Sequence, residues 1–248
     1  MSTRLLCFAL LALPAWGWQS ADQSLQAKLG TVSGSYSLYA DGFLVALSEV
    51  AGHFQLPMGI EWIKVASDTR PFRRSWAGAT PSAILHDILK DYPQYEFEAS
   101  NGVVHVFPTA MKGDPADVLN ARIGTYEVHG ASVTSATQTD LAERVRKIMV
   151  PNGRDLVIVG SILSGEGDGP VTFRIDDATV RDVLDKFCLG ADLNIWIVTY
   201  PPEPAKTGGG FLKTIPVNEN VQRDDDTFLP TWRFLPWGSL HVGERLIR

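Results

Sequence analysis

The sequence predicts an α+β fold of two tandem small modules, each with two helices packed on a small mixed sheet. Three observations lead to this prediction: a helix motif that occurs twice, strand-like segments at matching places around each copy, and a globular composition. The chain has 248 residues, of which 45% are apolar and 20% are charged. It is therefore long enough for two small domains, and too apolar to be disordered.

The N-terminal residues have the organisation of a secretory signal peptide. Arg4 precedes an apolar run at 5–13, and the small residues Ala15 and Gly17 suit a signal peptidase. The run is about half as long as a membrane-spanning helix. An N-terminal anchor or a buried first helix is the alternative. We expect residues 1–17 to be removed, and the mature protein to be exported, either periplasmic or secreted.

Charge and cysteine content narrow the classes of partner. The chain carries 22 Lys and Arg against 28 Asp and Glu, a net charge of −6, and its basic runs are no longer than a pair such as Arg73-Arg74. Nucleic-acid binding is therefore not expected. No later apolar stretch approaches the ~18 residues of a membrane span.

Removal of Cys7 with the signal peptide leaves Cys188 as the single cysteine. Cys188 lies on the apolar face of a predicted helix, so we expect it to be a buried hydrophobic residue rather than a nucleophile.

A helix motif occurs twice, because segment 79–89 lines up with segment 178–188 at an offset of 99 residues. In each copy a threonine, Thr80 or Thr179, can cap the N-terminus of the helix, and Pro81 takes the first helical position. Both helices carry apolar residues at the same four positions, which predicts one buried face for each. These residues are Ile84, Leu85, Ile88 and Leu89 in the first copy, and Val183, Leu184, Phe187 and Cys188 in the second.

Apolar or alternating segments surround both copies and predict the same order twice: helix, strand, strand, helix, strand. In the first copy the flanking elements are a helix at 43–54 and strands at 60–63, 72–76 and 95–98. In the second copy they are a helix at 141–149 and strands at 156–159, 171–175 and 193–198, with a leading strand at 120–128. Asn101-Gly102 favours a type I′ hairpin, which adds a strand at 103–107 to the first copy alone.

These elements divide the chain into successive segments. They are a signal peptide at 1–17, a first module at 36–110, a second module at 117–200, and a tail at 201–248 that is rich in Pro, Gly and aromatic residues. A cluster of aromatic residues lies among prolines in the tail: Phe228, Trp232, Phe234 and Trp237. Such a cluster either folds back over the modules as a lid or forms a strip that binds a partner, so these are candidate partner-binding residues.

The order of strand, capped Ala-Thr helix and hairpin resembles the STN-like modules at the N-termini of bacterial secretins and TonB-dependent receptors. The likeness covers 40–108 and 118–200, and its motifs are 76–80 with Ile84-Leu85, 175–179 with Val183-Leu184, and the strand 103–107. Nothing after Tyr200 looks like a β-barrel or pore domain, so a channel or receptor role is not carried over. The resemblance implies a periplasmic, non-catalytic module that docks protein segments, often by strand addition at an exposed edge.

Residue patterns do not predict a catalytic, metal or cofactor site. The chain has five histidines, none of them paired at a metal-ligand spacing, and we expect them at the surface. They are His53, His86, His105, His129 and His241. Glu96 and Glu98 share a strand face and are expected to be solvated. We therefore expect no enzyme activity, no cofactor and a protein partner in the cell envelope, with the oligomeric state left open.

Two alternatives to a binding module follow from scattered residues. One is a small exported hydrolase with a site at the module junction, built from residues such as His129, Glu127 and Asp140. It lacks a Gly-x-Ser-x-Gly motif. The other is a carbohydrate-binding surface that uses tryptophans, although two of them lie in apolar strands where core packing explains them. These tryptophans are Trp62, Trp76 and Trp196.

Overall fold

Helices and strands both occur throughout the described chain, which confirms the mixed α+β class. The structure, a computed structural model, describes residues 16–63, 71–114, 117–149, 160–162, 169–190, 194–200 and 231–235. Its α-helices are α1 (Trp16–Gly30), α2 (Phe43–Phe54), α3 (Pro81–Leu89), α4 (Val133–Ser135), α5 (Ala142–Met149) and α6 (Val180–Gly190). Short 3-10 helices lie at Thr109–Met111 and Val118–Asn120, and a π-helical segment, Ala136–Leu141, joins α4 to α5. Its strands are β1 (Ser35–Asp41), β2 (Met58–Ile63), β3 (Pro71–Ala77), β4 (Tyr95–Ser100), β5 (Val103–Pro108), β6 (Arg122–Ser132), β7 (Gly160–Ile162), β8 (Pro170–Thr179), β9 (Ile195–Tyr200) and β10 (Thr231–Leu235).

Strands of both halves of the chain share one sheet of six strands, in the order β4-β5-β2-β9-β10-β7. Strand β2 pairs with β9 in parallel, from Met58 beside Ile195 to Ile63 beside Tyr200. A separate small sheet in each module was predicted, and the structure corrects this prediction. The strands join because β2 and β9 are covered on both faces, as strands in the middle of a sheet are. Two antiparallel pairs, β1–β3 and β6–β8, form smaller sheets.

The two faces of the shared sheet cover two different cores. On β9, Ile195 and Ile197 belong to the core formed with α2 and α3. Trp196 and Val198 point the other way, into the core formed with α6 and the strands β6 and β8. The layers therefore follow one another as the β1–β3 pair, the first helices, the shared sheet, the later helices and the β6–β8 pair.

The strand order within the shared sheet repeats. In β4-β5-β2 an antiparallel pair is followed by a parallel pair, and β9-β10-β7 has the same arrangement. Strand β9 thus corresponds to β4, and β10 takes the place that β5 has in the first half. The sequence placed 231–235 in an extended tail, and the structure corrects this because the segment pairs on both sides within the sheet.

The predicted caps and the predicted turn are present. The Thr80 hydroxyl accepts a hydrogen bond from the Ala83 backbone N–H at 3.2 Å, at the start of α3. The Thr179 hydroxyl likewise accepts from the Asp182 N–H at 3.2 Å, and the Asp182 carboxylate accepts from the Thr179 N–H at 2.9 Å. Asn101 and Gly102 both have positive φ angles, 55° and 78°, as a type I′ turn requires.

Helix α1 and strand β1 precede the elements that were predicted. Leu25 and Leu29 of α1 are buried in the first core. The carboxylate of Asp22 accepts a hydrogen bond from the Gly102 N–H at 2.6 Å, and Lys28 Nζ donates to the Gln55 carbonyl at 2.8 Å. Most of the predicted signal peptide, and the predicted strand at 156–159, lie outside the described residues. In that region the described strand is β7.

Candidate functional site

Strand β4 ends the six-stranded sheet, and within the described ranges no strand pairs with its outer side. Ser100 and Val103 face each other across the two-residue turn, so they form a hydrogen-bonded pair. Since such pairs alternate along an antiparallel ladder, the backbone N–H and C=O groups of Phe97 and Ala99 point outward. An outward row of this kind is a template onto which another strand can add.

The two faces of β4 differ in chemistry. Phe97 and Ala99 pack against the first core. Glu96 and Glu98 project from the opposite face, where their carboxylates lie 3.2 and 3.5 Å from Lys112 Nζ. Hydrogen bonding to Glu96, with the nearby Glu98 charge, raises the pKa of Lys112. One ammonium thus offsets two carboxylates, and the edge retains negative charge.

A groove with a volume of about 490 Å³ runs along this edge, between α1 and α3. Its walls include Gln26 and Leu29 of α1, Ser82 and His86 of α3, and Phe97, Glu98 and Ala99 of β4. The rings of His86 and Phe97 meet edge to face, with centroids 4.7 Å apart. Helix α1 forms the far wall, so the outer edge of β4 faces the groove.

Buried polar side chains join the two halves where β2 meets β9. Arg181 of α6 donates through Nη1 to Glu61 Oε1 at 2.5 Å and through Nη2 to Asp117 Oδ2 at 3.3 Å. The Tyr200 hydroxyl donates to Asp117 Oδ1 at 2.7 Å. Glu61 and Asp117 are only 1% and 4% exposed. We call these four residues the joint cluster.

The joint cluster holds more acid than base. Burial raises the pKa of Glu61 to about 7, and the Asp117 charge adds to this rise although Arg181 lowers it. Burial also raises the pKa of Asp117 and of Tyr200. One guanidinium serves two carboxyl groups, so a proton is retained near neutral pH. Its Arg181–Glu61 contact links the two halves of the chain.

His105 is buried, so the prediction of a surface histidine is wrong at this position. Its Nε2 lies 2.9 Å from Asp185 Oδ1, which also accepts a hydrogen bond from Trp196 Nε1 at 2.9 Å. The Ser100 hydroxyl lies 3.1 Å from the other ring nitrogen, Nδ1. The imidazole is covered because the shared sheet brings α6 against this face of β5. In the sequence, the position of the acidic Asp185 beside the apolar stripe of α6, between Leu184 and Phe187, is a signal for such a partner.

Two of the predicted partner-binding residues are on β10. Trp232 lies beside Val198 and Phe234 beside Trp196 in the pairing with β9. The other two predicted residues, Phe228 and Trp237, lie outside the described residues. The partner-binding role of all four residues stays a prediction.

Of the three residues considered for a hydrolase site, two contact each other and the third pairs elsewhere. His129 Nε2 lies 2.9 Å from Glu127 Oε1 on the exposed side of β6. Asp140 instead pairs with Arg144, one helical turn later, with 3.1 Å between Oδ1 and Nε. Both pairs lie part-exposed at the surface.

Cys188 and two of the tryptophans are engaged in packing. Cys188 is fully buried, and burial raises the pKa of its thiol, which disfavours the reactive thiolate. Trp196 is fully buried as well. Trp76 donates from Nε1 to Asp87 at 3.0 Å, on the side of the first core. The Trp196 ring is therefore covered by the core, whereas Trp62 and Trp76 are half-buried.

Across the described residues, no three His, Cys, Asp or Glu side chains come together as a metal ion would need. The helices within those ranges are also too short or too polar to cross a membrane. Comparison with models of known protein families, with curated proteins and with solved structures gives no significant match. Function therefore has to follow from the residues of this chain.

Proposed function

We propose that this protein is an exported, non-catalytic binding or assembly protein of the cell envelope, and that it captures an extended protein segment as an additional strand on β4. The export part rests on the signal-like residues 1–17. The binding part rests on an open strand edge beside a groove, which is the arrangement that strand-adding peptide sites use.

One observation carries this proposal: the edge that corresponds to β4 in the second half already has a strand added to it. That edge belongs to β9, and the added strand is β2. The Met58 N–H donates to the Asn194 carbonyl at 2.8 Å at the start of this contact. By the 99-residue offset, Trp196 and Val198 of β9 correspond to Phe97 and Ala99 of β4. The β2–β9 pairing is thus an example, within this protein, of the strand addition that we propose for β4.

Replacing Ala99 tests the proposal without removing a bond between β4 and β5. The Ala99 N–H points outward, so Ala99→Pro removes a donor that only an added strand would use, and proline is tolerated at strand edges. We expect Ala99→Pro to keep the unfolding free energy within about 1 kcal/mol, and to weaken capture of extended peptides selected from a display library by at least about tenfold.

Ala99→Ser is the matched control, because it keeps the backbone N–H and should bind the selected peptides as tightly as the native chain does. Amide hydrogen exchange supplies a second measurement: bound peptide should protect the amides of Phe97 and Ala99. Peptides that bind the proline variant as tightly as the native chain, without protecting these amides, would move the binding site away from β4.

A hydrolase is the second candidate function. Its best candidate site is formed by Ser100, His105 and Asp185, in which His105 contacts the other two residues, rather than by the three residues considered from the sequence. A hydroxyl, an imidazole and a carboxylate in one hydrogen-bonded row are the parts of an activated serine. A fluorophosphonate probe distinguishes the candidates. A binding protein leaves Ser100 unlabelled, whereas labelling of the native chain that Ser100→Ala abolishes would establish the hydrolase.

A further inference from the structure

We infer that the segment captured by β4 runs parallel to β4, has a small residue beside Phe97, and carries Lys or Arg at the positions that flank Glu96 and Glu98. This inference rests on the proposed function. Its basis is the pairing of β2 with β9, transferred to β4 through the 99-residue offset, together with the charge of the β4 edge.

The pairing of β2 with β9 indicates the direction of the captured segment and the size of its residue beside Phe97. Gly59 of β2 lies beside Trp196, and a Cβ atom on Gly59 would come within 2.1 Å of the indole ring. Phe97 takes the place of Trp196 on β4. Because a phenyl ring is smaller than an indole, Gly, Ala or Ser fits at this position, and a large side chain does not.

The other face of β4 sets the charge. Glu96 and Glu98 correspond to Ile195 and Ile197 of β9, which face the first core. On β4 the same positions are acidic and part-exposed, with Lys112 as their shared cation. A strand added there places alternate side chains next to these carboxylates, and opposite charges at such cross-strand positions are favourable. Basic residues in the partner would therefore share or replace the contact of Lys112.

A second copy of this chain fits the edge poorly. Two identical edges related by a twofold axis pair antiparallel. If Phe97 pairs with its own copy, Glu96 lies opposite Glu98, and a register shifted by one step puts Glu98 opposite itself. Like charges directly opposite destabilise a pair of strands. The acidic edge thus disfavours self-pairing and favours a basic partner.

Short capped peptides test the sequence preference directly. The probe is Thr-Lys-Ala-Lys-Val-Lys-Thr with a fluorophore, measured by anisotropy at low salt against the full chain. One comparison peptide has Glu in place of every Lys, and another has Trp in place of Ala and Val. We expect the Lys-Ala probe to bind at least about tenfold more tightly than either comparison peptide, and to weaken as salt is added.

Charge variants of the protein should act in opposite directions on the same probe. The double variant Glu96→Gln with Glu98→Gln should weaken binding about three- to tenfold, because it removes two part-exposed ion pairs. Lys112→Gln should strengthen binding, since it removes the competing cation. A purely structural effect on the edge would weaken binding in both variants.

The outcomes separate the partner from the proposed function. The inference of a basic partner is overturned if the acidic peptide binds as tightly as the Lys-Ala probe, or if both charge variants bind the probe more weakly. If binding is still weakened by Ala99→Pro, the proposal of strand addition at β4 stands. Insensitivity of every peptide to Ala99→Pro overturns the proposed function itself. A dimer in sedimentation that Ala99→Pro dissociates would identify a second copy as the occupant. Protection of the Phe97 and Ala99 amides in the free monomer would identify another segment of this chain. Both results overturn the inference.

Discussion

Helices α3 and α6 arise from the same sequence motif, and the two halves use corresponding positions on them in different ways. Ser82 and His86 of α3 line a groove beside an open strand edge. At the 99-residue offset these positions are Arg181 and Asp185 of α6, which bond to Glu61 and His105 of the first half. One copy of the motif therefore lies beside an edge with which no strand of the described ranges pairs, and the other copy lies beside an edge that pairs with β2.

The middle strand of each set of three, β5 in β4-β5-β2 and β10 in β9-β10-β7, also differs in how the chain supplies it. Strand β5 follows β4 after the two-residue turn at Asn101-Gly102. Strand β10 reaches the corresponding place beside β9 only after the segment 201–230. A longer connection costs more entropy to close, although the cost grows slowly with length. The first half is thus completed locally, whereas the second half depends on a distant segment.

Removal of β10 should give the largest difference in stability between the two halves. A chain truncated after residue 230 loses the strand that β9 and β7 both pair with. We expect a loss of more than about 4 kcal/mol in the unfolding free energy. Amide hydrogen exchange should show β9 losing its protection while β5 keeps more of its own. A chain truncated after residue 235 is the control, because it keeps β10. Unchanged protection of β9 in the shorter chain would contradict the pairing of β10.

Equivalent core truncations measure whether the two motif helices are packed equally. Leu85 of α3 and Leu184 of α6 are both fully buried. Leu85→Ala and Leu184→Ala should each lower the unfolding free energy by about 2–5 kcal/mol, since each removes a buried side chain and leaves a cavity. The control is Leu189→Ala, at a side chain that is 37% exposed, with an expected cost below about 1 kcal/mol. Urea denaturation measures all three, and a near-neutral Leu184→Ala would mean that α6 is not packed as α3 is.

Local signals predicted the capped helices α3 and α6 and the β4–β5 hairpin correctly, because each signal involves neighbours in the chain. Thr80 and Pro81 indicate the start of α3, and Asn101-Gly102 indicates the hairpin. Burial of the four apolar positions in each motif helix follows from their helical spacing. These features depend on residues only a few positions apart, so one sequence contains all the information that they need.

What the sequence did not predict depends on contacts between distant residues. Arg181 and Glu61 are 120 positions apart, and each taken alone resembles an ordinary surface charge. The pairing of β10 is missed because Pro and Gly surround a short strand. The open edge of β4 was expected only in general terms, since an edge is defined by the strands that do not pair with it. Phe97 and Ala99 become candidates only once the strand order is known.

A glycine at the contact between the halves tests how closely β2 approaches β9. A Cβ atom at Gly59 would lie 2.1 Å from Trp196 Cζ2, inside a core that cannot easily move. Gly59→Ala should therefore lower the unfolding free energy by about 1–3 kcal/mol. Gly34→Ala is the control, because a Cβ atom there meets nothing within 4 Å. The comparison uses thermal and urea denaturation, and equal stability of the two variants would place Trp196 away from β2.

The smallest expected effect is the pH dependence that Glu61 gives to the contact between the halves. Burial raises the pKa of Glu61 from its ordinary 4.5 to about 7, in a setting that also holds Asp117, Arg181 and Tyr200. The folded protein therefore binds a proton that the unfolded chain has released. This contribution to stability is complete below about pH 4.5 and is lost as the pH rises through about 7.

Glu61→Gln should remove that dependence, because glutamine stays neutral over the whole range. The unfolding free energy of the native chain minus that of Glu61→Gln should fall between about pH 5 and about pH 7.5, with a slope no steeper than about 1.4 kcal/mol per pH unit. Urea denaturation followed by tryptophan fluorescence measures the difference at each pH. Glu127→Gln, at a part-exposed carboxylate on β6, should give a flat difference. A flat difference for Glu61→Gln as well would mean that Arg181 keeps this carboxyl ionised throughout, so the contact between the halves would then be a permanent ion pair.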